Sequence, residues 1–362
     1  MKVIDIKVGK ISVPLRRPFK TALRTVTSIE DVVIRIITDT GQIGYGEAPP
    51  TAVITGDTTG SIISAIEGQI KKYLVGMDIE NFEEMLTKLN KSIIKNTSAK
   101  AAVDMALYDL FGQRYQAPLY KLLGGYRKEI NTDITISVNE PEEMAKDSLE
   151  AVSRGYDTLK IKVGKNSVRD IDRLKTIRNT IGYDIKLRID ANQGWKAKEA
   201  VYTLRKIEDA GLNIELVEQP VVAQDIEGLK FVTDNVSIPV LADESVFSPA
   251  DAAKIIQMRA ADYINIKLMK TGGIYNALKI CSLAEIYGME CMIGCMLESK
   301  ISVTAAAHLA AAKSIITKVD LDGPSLCSED PIIGGAIFDN SRIIIDDKPG
   351  LGIQYCPGFG DI

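Results

Sequence analysis

The chain has 362 residues, 46% of them hydrophobic and 25% charged, which suits a large buried core beneath a water-exposed surface. With 44 Lys plus Arg against 48 Asp plus Glu the net charge is −4, so no basic excess exists to neutralise nucleic-acid phosphates or anionic lipid. The opening MKVIDIKVGKISVPL lacks the apolar core of a secretory signal, no apolar run reaches membrane-span length, and the five cysteines lie scattered at 281, 291, 295, 327 and 356. A cytoplasmic protein with reduced thiols and neither nucleic-acid nor membrane partners is expected.

Residues 2–14 and 31–48 read as strands, with TDTG as a turn between two of them. Helical patterns follow at 61–75, 79–93 and 98–115, the last with Ser98 as its N-cap. Strands followed by a run of helices predict a small α+β capping domain over residues 1–125. Two of its segments, 19–28 (FKTALRTVTS) and 48–61 (APPTAVITGDTTGS), are rich in small and polar residues and read as lid loops.

From about residue 130 short apolar strands alternate with longer helical patterns. Strands are predicted at 130–137, 158–163, 184–190, 214–219, 239–244, 262–267, 290–294 and 316–322. Strand ends at 162, 190, 218, 243, 267, 294 and 322 fall 24 to 28 residues apart, about one βα unit each. Eight such units predict a (β/α)8-type TIM barrel over 126–329, with 330–362 returning to the capping domain. The alternative is a doubly wound open sheet. It would want a Gly-rich phosphate turn after the first strand, and none follows ITIS.

In a TIM barrel the C-terminal strand ends form the active face. Charges recur there: Lys160 and Lys162 in DTLKIKVG, Asp190 in RIDAN, Glu218 in VEQP, Asp243 in ADES, Lys267 in NIKLMKTGG, Asp320 and Asp322 in VDLD. Asp190, Glu218 and Asp243 end three successive strands, and three converging carboxylates repel one another unless a cation neutralises them. Oxygen donors without His or Cys favour one Mg²⁺ per subunit, with Mn²⁺ as a substitute. The plainer reading makes each carboxylate a cap for the helix that follows. Lys160 and Lys162 share one face of their strand. A cation and a neighbouring ammonium would lower the pKa of Lys162 and make it a base. Lys267 faces it from across the barrel. That geometry suits proton abstraction beside a carboxylate, with Lys160 stabilising the enolate and the second lysine returning the proton to the opposite face. A salt-bridged interior pair is the plainer reading of the two lysines. The single histidine, His308 in AAAHLAAAK, reads as a packed helix residue. Asp320 and Asp322 share a face and could hold a substrate ammonium.

Together the capping domain, the K-x-K at 160–162, the D/E/D set and Lys267 resemble the enolase superfamily, and within it the muconate lactonizing enzyme subgroup. The lack of a usable histidine separates the chain from subgroups with a His base. The D-x-D at 320 and 322 is similar to that of dipeptide epimerases, especially the L-Ala-D/L-Glu type. This resemblance implies an Mg²⁺-dependent isomerase of peptide metabolism, inverting the α-carbon of the C-terminal residue of L-Ala-L-Xaa dipeptides and working as a homo-oligomer. It implies Lys162 and Lys267 as the bases, Asp320 and Asp322 on the dipeptide ammonium, Thr135 as a substrate contact, and Arg24 of FKTALRTV on a glutamate side chain. Cys295, Met296 and Leu297 in GCMLESK form a softer rim, so a hydrophobic or aromatic second residue stays open beside Glu. The alternative is a cycloisomerase or o-succinylbenzoate synthase-like enzyme, whose substrates carry no ammonium for Asp320 and Asp322.

Overall fold

The computed structural model describes residues 1–21 and 25–359, and Arg24 lies outside them. The chain opens with an antiparallel sheet in the order β1 (Val3–Lys20), β2 (Thr25–Thr38), β3 (Ile43–Ala48). β1 continues well past the expected 14, because Phe19 pairs with Val26 and Lys20 with Thr25 after a register shift beyond Pro14. Pro14 and Pro18 are tolerated because β1 is an edge strand. The expected 19–28 loop is therefore, in its described part, largely hairpin ladder.

Three helical stretches follow, over Thr59–Leu74 (with a π-turn at Ile66–Ile70), Phe82–Lys91 and Thr97–Arg114. The N-cap expectation for Ser98 is corrected. The helix starts from Asn96 in the left-handed region, and Ser98 donates its N–H to Asp57 Oδ2 at 3.1 Å. A distant carboxylate thus satisfies one of the first-turn donors. β3 lies directly on this helix. A Cβ on Gly44 would stand 2.2 Å from Ala106 O, and one on Gly46 would stand 1.9 Å from Ala102 O. The alternate residues, Tyr45 and Glu47, consequently face away from the helix.

The expected strand 130–137 is divided into β4 (Glu129–Asn131) and β5 (Ile134–Ile136). Thr132 turns its N–H to Ser341 O at 2.8 Å, and Asp133 turns its carboxylate to Arg188 at 2.8 Å. β5 then begins a parallel sheet in sequential order with β6 (Thr158–Lys162), β7 (Lys186–Asp190), β8 (Ile214–Glu218), β9 (Val240–Ala242), β10 (Tyr263–Lys267), β11 (Cys291–Gly294) and β12 (Ile316–Asp320). Asp133 N–H donates to Val319 O at 3.2 Å, closing β12 onto the start of β5. Helices of ten to fifteen residues follow β5, β6, β7, β8, β9, β10 and β11, but β12 is followed only by Gly323–Leu326. The eighth unit is truncated because the chain is diverted to the cap, where Ser328 N–H donates to Pro14 O at 2.8 Å.

The tail forms β13 (Ile333–Gly334), β14 (Ile337–Asp339), β15 (Arg342–Ile344) and β16 (Ile353–Tyr355). β15 joins β4, while Arg35 of β2 donates to Cys356 O at 3.0 Å. Cap and barrel are also joined through Asp104, whose carboxylate accepts the N–H groups of Ile274 (2.5 Å) and Tyr275 (3.3 Å) at the start of helix Ile274–Tyr287. All five cysteines are free and buried. His308 is packed, accepting Tyr120 N–H at 3.0 Å, and burial pushes its pKa down to about 3. Among the described residues no helix is long and apolar enough to cross a membrane.

The seating of β3 yields a direct test by urea unfolding. Gly46→Ala drives a methyl into the Ala102 carbonyl and is expected to lower stability by about 2–3 kcal/mol. Gly60→Ala, with open space around its Cβ, is expected to raise it by about 0.5 kcal/mol.

Candidate active site

The barrel strands alternate, and their inward residues form layers. Leu216, Leu241 and Met292 make a small apolar cluster inside the barrel. Two residues further along the chain come Glu218, the last residue of β8, and Asp243, just past β9, where the interior turns from apolar to charged. Lys160, Lys162, Asp190, Glu218, Asp243, Lys267, Asp320 and Asp322 are all buried there. The structure thus brings together every charged residue expected at the strand ends.

Ammonium and carboxylate groups alternate across this layer. Lys162 Nζ donates to Asp190 Oδ2 at 2.5 Å. Lys160 Nζ contacts Asp320, lies 3.4 Å from Glu218 Oε2 and lies 3.8 Å from Asp190 Oδ2. Lys267 Nζ lies 2.8 Å from Asp243 Oδ2 and 3.8 Å from Glu218 Oε1. β6 and β10 stand four strands apart in the eight-stranded order, so Lys162 and Lys267 approach from opposite walls with the carboxylates of β7, β8 and β9 between them.

Lys160 and Lys267 are governed by the carboxylates around them. Burial alone would lower Lys160 and Lys267, but the carboxylates around them outweigh it and raise both above the ordinary lysine value. Asp243 shows the reciprocal effect: burial opposes its ionisation, yet Lys267 and Lys270 hold it well below the usual carboxylate range. Glu218 is pushed up to about 7 by burial and by the charge of Asp190. Among the described residues, no three acidic, His or Cys side chains stand in metal-gripping proximity, because ammonium groups lie between the carboxylates. Three desolvated carboxylates on consecutive strand ends are nevertheless the oxygen-only donor set that a hard divalent cation takes. Asn192 Oδ1 and both carboxylate oxygens of Glu244 are buried beside that set without a hydrogen-bond partner, which leaves further oxygen donors at hand.

Several supporting residues escaped the sequence reading. Asn265, two residues before Lys267 and on the same face, donates to Glu218 Oε1 at 2.8 Å. Gln219 Oε1 accepts the N–H groups of Asp243 (2.9 Å) and Ser245 (3.1 Å), tying the ends of β8 and β9 together. Lys270 is fully buried and sits 2.6 Å from Asp243 Oδ1. Period-two alternation points to Asn265; nothing in the pattern marks Lys270, which lies on a short helix beyond the strand.

A pocket opens above the charged layer, between the cap and the barrel mouth. Phe19, Thr21, Thr51, Val53 and Ile54 of the cap line one side; Thr135, Cys295, Met296, Leu297 and Leu326 of the barrel line another. Thr135 is tied to the D-x-D, its N–H donating to Asp322 Oδ2 at 2.7 Å. Asp320 turns to Lys160, while Asp322 begins the short helix after β12. Burial pushes the Cys295 thiol well above its usual value, so it serves as soft lining.

Residues 3–124 match the family "Mandelate racemase / muconate lactonizing enzyme, N-terminal domain", and residues 143–358 match "Enolase C-terminal domain-like". An L-Ala-D/L-Glu epimerase of Clostridium acetobutylicum is 67% identical over 98% of this chain and 99% of its own. A substrate-liganded L-Ala-D/L-Glu epimerase from Bacillus subtilis superposes with a TM-score of 0.96 at 53% identity, covering 98% of this chain and 99% of that one. A dipeptide epimerase from Enterococcus faecalis, solved with Mg and the dipeptide L-Leu-L-Tyr, superposes with a TM-score of 0.95 at 44% identity, covering 98% of this chain and all (100%) of that one. The layered lysines and carboxylates, the cap over the barrel mouth and these matches lead to one conclusion: the chain belongs to the mandelate racemase and muconate lactonizing enzyme family of the enolase superfamily.

Proposed function

We propose that the protein is a dipeptide epimerase that inverts the α-carbon of the C-terminal residue of L-Ala-L-Xaa, with Glu as the preferred second residue. The observation that carries this reading is the placement of Lys162 and Lys267 on opposite walls, each against a carboxylate, in the lining of one pocket. Asp320 and Asp322 supply two carboxylates at the pocket edge for the substrate ammonium. Arg24 is assigned to the glutamate side chain on the likeness of FKTALRTV, since a guanidinium suits a carboxylate. The 67% and 53% identical relatives are both named for L-Ala-D/L-Glu.

Asp190, Glu218 and Asp243 would hold one Mg²⁺. When bound, it supplies positive charge to the substrate carboxylate and competes for the oxygens that now pair with the lysines. The remaining steps belong to side chains. One lysine, as the free amine, takes the α-proton; the C–H pair moves into the carboxylate as an enolate, and Lys160 faces the charge that develops. The lysine on the other wall, as ammonium, then delivers its proton to the opposite face of the carbon. One C–H bond breaks and one forms, so the product is the epimer. Cycloisomerase and o-succinylbenzoate synthase-like chemistry is not favoured, because their anionic substrates would meet Asp320 and Asp322 without an ammonium to offset them.

Lys162→Ala and Lys267→Ala are each expected to lower epimerisation of L-Ala-L-Glu by about a thousandfold or more. In D₂O, each variant is expected to keep slow α-proton exchange from one epimer only, and from opposite epimers. Proton exchange from both epimers at wild-type rate in either variant would contradict the two-base reading. Chelation by EDTA followed by dialysis is expected to abolish turnover, and Mg²⁺ to restore it, with Mn²⁺ as a partial substitute; turnover that survives chelation would contradict the assignment of the three carboxylates.

A further inference from the structure

We propose that Glu47, a capping-domain residue, is a positioning residue for substrate binding, because it fixes the barrel segment that forms the Cys295–Leu297 wall of the pocket. Glu47 lies on β3, fully buried, on the strand face turned away from the Thr97–Arg114 helix. Its Oε1 accepts Ser299 N–H at 2.8 Å and its Oε2 accepts Ser302 N–H at 2.9 Å. Ser299 is the N-cap of helix Lys300–Ala312 and Ser302 is its third residue. A helix start ordinarily serves these two N–H groups with its own first-turn side chains, as Thr58 and Ser61 do in the cap. Ser299 makes no such bond, although serine is among the best N-cap residues. One carboxylate from another domain, 252 residues away in sequence, takes both places.

The bond reaches the pocket through a short segment held at both ends. Cys295 N–H donates to Asp320 O at 3.1 Å, and Met296 N–H donates to Glu298 Oε1 at 2.7 Å. Ser299, the next anchor, is held by Glu47. The positions of Met296 and Leu297 against substrate therefore depend on where the cap places Glu47. The Gly44–Gly46 contact with the long helix sets that place, since it leaves β3 no room to shift toward the helix. Asp31, buried beside Glu47, is pushed well above the usual carboxylate range by desolvation and by the charge of Glu47.

The inference rests on the dipeptide reading for its kinetic test. Glu47→Gln keeps shape and one acceptor but sets an amide N–H₂ against the second backbone donor. Glu47→Asp keeps the charge but shortens the reach, and serves if the glutamine variant does not fold. Either is expected to raise KM for L-Ala-L-Glu about tenfold while kcat changes less than threefold, measured well below the melting temperature. Glu208→Gln is the control: Glu208 Oε1 accepts the N–H groups of Ser237 (2.6 Å) and Ile238 (2.8 Å) at the other end of the barrel, and its loss is expected to leave both constants unchanged. A lowered melting temperature with unchanged KM would reduce Glu47 to a structural cap and overturn the proposal. If the wild type turns over no dipeptide, the functional reading fails. The tether is then read from amide hydrogen exchange over 295–302, expected to accelerate in the variant; unchanged exchange would overturn it.

Discussion

The barrel mouth depends on mutual neutralisation. Four buried lysines, at 160, 162, 267 and 270, meet the carboxylates of Asp190, Glu218, Asp243 and Asp320, and neither set could be buried without the other. An isolated buried ammonium would shed its proton and an isolated buried carboxylate would take one up. Interleaved, Lys267 and Asp243 hold each other charged, as their raised and lowered values attest, while burial still pushes Glu218 up to about 7 and Lys270 down. Such a layer contributes little net stability, because desolvation offsets most of the Coulombic gain. What it offers is a set of charges fixed on rigid strand ends, ready to exchange partners when a cation and a substrate carboxylate arrive.

The capping domain completes the site from above and is fastened by the same kind of interaction. Asp104 accepts two N–H groups at the start of helix Ile274–Tyr287, and Glu47 accepts two at the start of helix Lys300–Ala312. These helices follow β10, which carries Lys267, and β11, which leads into the pocket wall. Carboxylates at helix N-termini gain from both the unsatisfied donors and the helix dipole. Cap and barrel are thus registered against each other close to the groups that need exact placement for proton transfer.

Much of this was legible in the sequence because two periodicities carry it. The βα repeat places residues 162, 190, 218, 243 and 267 at one level, and period-two alternation turns Lys160 and Lys162 inward together. Where the partner is remote, the sequence is silent. Ser98 reads as a cap, but its N–H is served by Asp57, 41 residues away, and the N–H groups of Ser299 and Ser302 are served by Glu47 from the other end of the chain. The break between β4 and β5 was hidden because Asp133 reads as an ordinary strand polar residue until Arg188 is seen beside it. The charge balance around Lys160 is hidden for a similar reason. Sequence spacing shows a neighbouring charge of like sign, not the carboxylates that outweigh it.

The central claim is a proton taken from one face of an α-carbon and another returned to the opposite face. It is tested most directly by incubating the wild-type protein with Mg²⁺ and L-Ala-L-Glu in D₂O, then measuring mass and stereochemistry together. The account predicts L-Ala-D-Glu carrying one deuterium at the α-carbon of the second residue and none on the alanine. No deuterium in any dipeptide, or deuterium entering without the D epimer, would contradict it.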